Sequence, residues 1–203
     1  MASELYSIGF RWRGAIGIAV LVPLGLLALL SPLPSERPWL LVLAATMAWP
    51  LFIAGVVLRF WSTLYIGGRK HEILVCEGPY SICRNPLYLG TILLTASAGL
   101  FLESLLFTFG VVIIAIVYAL ATVPVEERYL SQYLGAPYRD YCARVPRFWP
   151  RPSLFATSSH LEVDLEELGR ECRSAIGYLL IPLLALILNA LRAQPWWPHL
   201  VLP

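Results

Sequence analysis

Two short polar stretches carry the residues whose types and spacing could do chemistry. The first, Glu77–Gly90, reads EGPYSICRNPLYLG and holds two prolines, two glycines, two tyrosines and Arg84. Gly78-Pro79 is a turn signal, and Pro86 drives Asn85 out of the α region. Pro86 itself suits the first turn of a helix, where its missing N–H costs nothing. A helix starting there presents unpaired N–H groups and a partial positive charge, so with Arg84 beside it the stretch could cradle an anion. Arg84 could instead be an interfacial anchor whose long stem snorkels along apolar surface. The second stretch, Val123–Arg151, reads VPVEERYLSQYLGAPYRDYCARVPRFWPR. Of its adjacent carboxylates, Glu126 and Glu127, one could accept hydrogen bonds from ribose hydroxyls or meet a cationic ligand. The other could pair with Arg128 or Arg84, and a solvated helix end is the plain alternative. Tyr138 and Tyr141, three apart on a helix, share a face. They could flank a planar ring or simply sit at an interface.

The elements that must position these stretches are apolar. The chain has 203 residues, 58% hydrophobic and 14% charged, against about 45–50% and about 25% in soluble domains. The excess is concentrated in blocks, as a bilayer requires. Five blocks read as transmembrane helices: Gly14–Leu30, Trp39–Phe60, Leu87–Leu102, Ser104–Pro124 and Ala175–Leu191. The fold class is therefore all-α, a polytopic membrane protein with about five spans. Pro23, Pro50 and Pro182 fall inside spans, where neighbouring helices tolerate kinks. Only Glu103 separates the third and fourth blocks, which predicts a tight antiparallel hairpin. The start of one span then lies beside the end of the next, and the two polar stretches should meet in space.

Charge sets the orientation. Thirteen of the fifteen Lys and Arg residues fall on the side of the N-terminal tail, the second loop and the long fourth loop, Arg59 among them; Arg37 and Arg192 are on the other. The positive-inside rule places the N-terminus and both polar stretches in the cytoplasm and the C-terminus opposite, with Trp196 and Trp197 in an outer aromatic belt. Arg11 and Arg13 flank the first block, but SPLPSERP after it lacks a small-residue cleavage site, so it reads as an uncleaved anchor. Cys76, Cys83, Cys142 and Cys172 all fall on the cytoplasmic side, with no C-x-x-C pair and no histidines at zinc-ligand spacing, so neither disulfide nor metal is expected. The net charge of +2 gives no sign of nucleic acid. Between Ser153 and Arg173 the chain turns polar, and Leu161, Leu165 and Leu168 share one face, as in a helix lying on the membrane or a solvated connector. The chain thus reads as one membrane domain, 1–203, with a connector at 153–174 and a last span at 175–191.

LVCEGPYSICRNPLYLG, followed about forty residues later by EERYLSQYLGAPYRDYCARVPRFWP, resembles the isoprenylcysteine carboxyl methyltransferase family, which is grouped with the membrane phospholipid N-methyltransferases. That family's pattern runs roughly L-V-x-x-G-x-Y-x-x-x-R-[HN]-P-x-Y, then E-E, F-G-x-x-Y-x-x-Y and a closing R-x-x-P. The resemblance covers about residues 59–150, and LRFWSTLYIGG upstream fits the family's helix-exit stretch. It implies S-adenosylmethionine as methyl donor, S-adenosylhomocysteine as product, and a cytoplasmic cofactor site built by both stretches. Carried over, the cofactor contacts are Leu74, Val75, Tyr80, Asn85, Pro86, Leu87, Tyr88 and Glu126. Three positions depart from the pattern. Asn85 stands where histidine is frequent, and Glu72 occupies another histidine register, with His71 one place off, so that the resemblance implies Glu72 or His71 as a further cofactor contact. Thr122 stands at the substrate-binding position where the carboxyl methyltransferases carry an arginine for the substrate carboxylate.

Methyl transfer from a sulfonium is an in-line displacement, for which the protein supplies alignment and a dry site. The implied acceptor is a lipophilic or lipid-modified molecule arriving laterally from the membrane lipids. Glu127, His71 and Arg84 are the candidate catalytic residues. Glu127 or His71 would take the proton of an amine or thiol acceptor, and Arg84 would hold an anion or a carboxylate. A phospholipid amine N-methyltransferase, an NADPH-dependent sterol reductase and a non-catalytic scaffold are the competing readings. The methyltransferase reading requires Tyr88 and Glu126 to border one cytosolic cavity.

Overall fold

Backbone in hydrocarbon must satisfy its own hydrogen bonds, and helices do so within one segment. The structure, a computed structural model, describes residues 22–30, 38–67 and 73–198; these are all-helical in their regular elements, with no strand among them. Helix α1 covers 22–30, within the first expected span; the rest of that span lies outside the described residues. Then come α2 (Pro38–Ile66), α3 (Pro79–Ile82), α4 (Pro86–Phe101), α5 (Leu105–Tyr133), α6 (Ala136–Arg144), a 3₁₀ turn (Pro152–Leu154) and α7 (Leu165–Arg192). Among the described residues three helices, α2, α5 and α7, are long and apolar enough to cross a membrane, and α4 is a shorter apolar helix. The protein is an integral membrane protein.

The long helices overrun the apolar blocks. A 29-residue helix such as α2 or α5 spans about 43 Å, beyond the roughly 30 Å hydrocarbon core. Arg59, near the end of the Trp39–Phe60 block, therefore lies seven residues inside α2, and Glu126 and Glu127 lie on the projecting end of α5. Pro50, Pro124 and Pro182 sit inside helices that run on past them. Beyond the 3₁₀ turn, segment 155–164 is not a helix. Asp164 caps α7 by accepting from the N–H groups of Glu166 and Glu167 (2.9 and 3.0 Å), and those two acids favour the positive helix end. With no breaker between Arg173 and the apolar run, one helix continues from Leu165 into the last span, and Leu161 stays outside it. A separate surface helix is not formed.

Helix α4 is the hub and packs on α2, α5 and α7. At the α2–α4 crossing a Cβ on Gly55 would fall 2.8 Å from Leu94 Cγ and 2.9 Å from the Gly90 carbonyl, the close approach that small residues allow between membrane helices. The expected hairpin joins α4 to α5 through Leu102, Glu103 and Ser104. Glu103 takes φ 53°, and Ser104 accepts from Phe107 N at 3.3 Å to cap α5. From the far end of α7, Asn189 and Arg192 donate to the carbonyls of Phe101 and Leu102 (2.8 and 2.7 Å). Segment 151–158 straps α3 in place: Arg151 N donates to Ile82 O (2.9 Å), Gly78 N to Ala156 O (2.8 Å) and Ser158 Oγ to Glu77 Oε2 (2.7 Å).

Candidate functional site

The two polar stretches meet where the hairpin brings them. Tyr88, in the first turn of α4, donates its hydroxyl hydrogen to Glu126 Oε2 of α5 at 2.7 Å. Glu127 is turned about 100° from Glu126 on the same helix and takes different partners. Its Oε2 accepts from Arg147 Nε and Nη2 (3.1 and 2.6 Å), and its Oε1 lies 3.4 Å from Arg84 Nη1. The hydrogen-bonded Glu127 carboxylate pushes the Arg147 guanidinium above its ordinary range. The pairing of Glu127 with Arg84 is one of the two that the sequence left open. Arg84 is thus a partner of a carboxylate, and its side chain is only 13% exposed.

Helix α6 and the segment after it form a rigid bed for α3. Tyr138, Tyr141 and Val145 are buried together, with Leu74 and Cys76 packed against them. The Tyr141 hydroxyl donates to the Tyr80 carbonyl at 2.8 Å. Both tyrosines pack inward, a role that neither of the sequence readings named. Arg84 N donates to Pro146 O (2.9 Å) and Asn85 Nδ2 to Arg147 O (3.1 Å). The Cys83 thiol lies on the carbonyls of Arg147 and Phe148, and burial pushes it up to about 11.

Tyr80 is among the buried groups that this network leaves without a hydrogen bond. It is 6% exposed, yet its hydroxyl has no hydrogen-bond partner, and neither does the buried Nε of Arg84. Burial, and then the Glu126 charge, push the Tyr80 hydroxyl well above the usual tyrosine range. An unsatisfied buried polar group costs about 1–3 kcal/mol, so each of these, like the buried Glu127 Oε1 that also lacks a hydrogen bond, marks a place that a polar ligand would complete.

Among the other residues singled out from sequence, Pro86 is buried, while Val75 and Leu87 are half-buried. The Leu87 carbonyl accepts from Thr91 Oγ1 at 3.0 Å. Thr122 is half-buried on α5, one turn before Glu126. His71 and Glu72 lie outside the described residues. Sequence reasoning gave no role to Arg147, although it is the arginine of the closing R-x-x-P. It also missed a polar cluster where α2, α4 and α7 meet. There Arg59 of α2 donates to both carboxylate oxygens of Glu171 on α7 (2.8 and 2.9 Å) and to Thr91 Oγ1 (2.7 Å). The signal was Arg59 itself: a cation within a span demands a partner. No group of three His, Cys, Asp or Glu that could hold a metal ion occurs among the described residues.

Residues 41–136 match the family model of the phospholipid methyltransferases. The chain is 31% identical over 198 residues to the nickel-cobalt-cadmium resistance protein NccN of Alcaligenes xylosoxydans xylosoxydans, covering 95% of this chain and 91% of that protein. It is 33% identical over 147 residues to the cobalt-zinc-cadmium resistance protein CzcN of Cupriavidus metallidurans, covering 71% of this chain and 66% of that protein. It is 30% identical over 87 residues to protein-S-isoprenylcysteine O-methyltransferase B of Arabidopsis thaliana, covering 43% of this chain and 44% of that protein. No solved structure matches it. With both signature stretches joined across one hairpin, the chain belongs to the membrane methyltransferase family that unites the phospholipid and isoprenylcysteine carboxyl methyltransferases.

Proposed function

We propose that this chain is an enzyme that transfers a methyl group from S-adenosylmethionine to a lipophilic acceptor drawn from the membrane. The observation that carries the reading is the Tyr88–Glu126 hydrogen bond, which joins the two stretches that the family resemblance assigns to the donor. The unpartnered Tyr80 hydroxyl and Arg84 Nε support it, because a nucleoside with an amino-acid arm brings the donors and acceptors they lack.

In this reading Tyr80, Arg84, Asn85, Pro86, Leu87, Tyr88 and Glu126 hold the donor, with Leu74 and Val75 at its edge and Glu72 contributing from sequence alone. S-adenosylmethionine, when bound, supplies an electrophilic methyl group on a sulfonium. Glu126 is an anionic acceptor fixed by the Tyr88 hydroxyl, suited to hydroxyl donors or a cation. Glu127, ion-paired with Arg84 and Arg147, acts as the clamp that fastens the 144–151 segment and the α3–α4 junction to α5. The proton of an amine or thiol acceptor then falls to His71, a role that rests on the sequence. Helices α5 and α7 present apolar faces outward, including Ile113, Leu120, Leu179 and Leu183, which suits an acceptor that travels in lipid.

Thr122 in place of an arginine favours an acceptor without a carboxylate, and the match to the phospholipid methyltransferase model favours a phospholipid amine as the alternative to a prenylated thioether acid. Orientation follows the basic residues: Arg84, Arg128, Arg139, Arg144, Arg147 and Arg151 gather with the site at the cytoplasmic end. Two relatives carry names of metal resistance, so we place the methylated product in the membrane response to nickel, cobalt, zinc or cadmium. The test is incubation of purified protein with methyl-labelled S-adenosylmethionine and total membrane lipid extract, followed by identification of the labelled lipid. Label in a lipid fraction, abolished by Glu126→Gln, is expected. Donor binding without label in any extract would leave a scaffold.

A further inference from the structure

The geometry points to Glu171, on the helix that follows the family-matched region, as a specificity-determining residue that acts through Arg59: it cancels the guanidinium's charge beside the site so that a cationic sulfonium donor can be taken up. This inference rests on the methyltransferase reading and deepens it.

Arg59 sits seven residues before the end of α2, about 10 Å inside along the axis, where an unpaired cation is expensive. Its guanidinium is held on three sides. Glu171 receives two hydrogen bonds, Thr91 receives one, and the Tyr178 ring lies 5.4 Å from the guanidinium carbon. Tyr178 also donates its hydroxyl to Glu171 Oε1 at 3.3 Å, fixing the carboxylate from α7 itself. The side chains of the pair are 17% and 9% exposed, so water does little to screen them.

Arg59 is also next to the site. Its Cγ lies so near Gly90 that a Cβ there would come within 2.8 Å, and Thr91 is one turn beyond Tyr88, which holds Glu126. The Tyr80 hydroxyl feels the charges of both Glu126 and Arg59. A bare guanidinium in that position would repel a sulfonium and leave a neutral thioether untouched. Paired with Glu171 it is neutral to both. The 59–150 core therefore depends on α7 for its electrostatics, although the family model ends at residue 136.

The test compares dissociation constants for S-adenosylmethionine, which carries the sulfonium, and S-adenosylhomocysteine, which does not, on full-length detergent-purified protein by calorimetry. Glu171→Gln keeps the shape and removes the charge. It is expected to weaken S-adenosylmethionine about tenfold relative to S-adenosylhomocysteine. Arg59→Gln, which leaves the carboxylate unopposed, should move the ratio the opposite way, and the double substitution Arg59→Gln with Glu171→Gln should restore it. A structural tie alone would weaken both ligands equally in each variant, and that result overturns the inference. Should Glu171→Gln fail to fold, Arg59→Gln decides the matter, because a ratio shifted towards S-adenosylmethionine is required of it. A wild-type protein that binds neither ligand removes the methyltransferase reading itself, a different failure from an unchanged ratio.

Discussion

Tyr88 and Glu126, thirty-eight residues apart in sequence, share a 2.7 Å hydrogen bond across the α4–α5 hairpin. A phenol that donates to a carboxylate at a helix start both orients the acid and ties the two signature stretches together. Removing the hydroxyl with Tyr88→Phe is expected to weaken S-adenosylmethionine binding about tenfold, in line with a charged hydrogen bond of about 1.5–3 kcal/mol. Glu126→Gln should weaken it further, because the acceptor charge is lost as well. Calorimetry on the purified variants measures both, and unchanged affinity in Glu126→Gln would remove that residue from the site.

Tyr80 separates function from stability. Its buried hydroxyl has no partner in the folded chain, so Tyr80→Phe is expected to raise stability by about 1 kcal/mol while weakening donor binding. Thermal unfolding followed by intrinsic fluorescence, beside a binding titration, should give changes of opposite sign. A loss of stability would show that the hydroxyl is satisfied in the apo protein.

Cys83 reports on the bed beneath α3. Burial raises its thiol from 9.0 to about 11, so the native state favours the protonated form. The stability this contributes is fully present below about pH 9 and is lost as the pH rises from 9 towards 11. Alkylation by iodoacetamide at pH 8.5, read by mass spectrometry, should leave Cys83 unmodified in the folded protein and label it in denaturing detergent. Rapid labelling of the folded protein would contradict the packing of α3 against 147–148.

Much of this molecule was legible from order and composition. Apolar blocks at membrane length dictate helices, since no other structure satisfies the backbone locally in hydrocarbon. A single residue between two of them dictates a hairpin, and the hairpin dictates that Tyr88 and Glu126 approach. These are local or near-neighbour constraints, written in consecutive residues. The ends of α2 and α5 were less legible, because a helix leaving the bilayer continues through polar residues as readily as through apolar ones, and so α2 runs on to Ile66 and α5 to Tyr133, past the blocks read from sequence.

What only the tertiary structure decided is which polar group answers which. Glu127 chose Arg84 and added Arg147; Arg59 chose Glu171, 112 residues away; Tyr138 and Tyr141 turned inward to pack. The sequence determined that charges near the membrane need partners. Partnership across helices depends on azimuth and depth, which are set by close packing at positions such as Gly55 and Gly90 and leave no periodic trace in the chain.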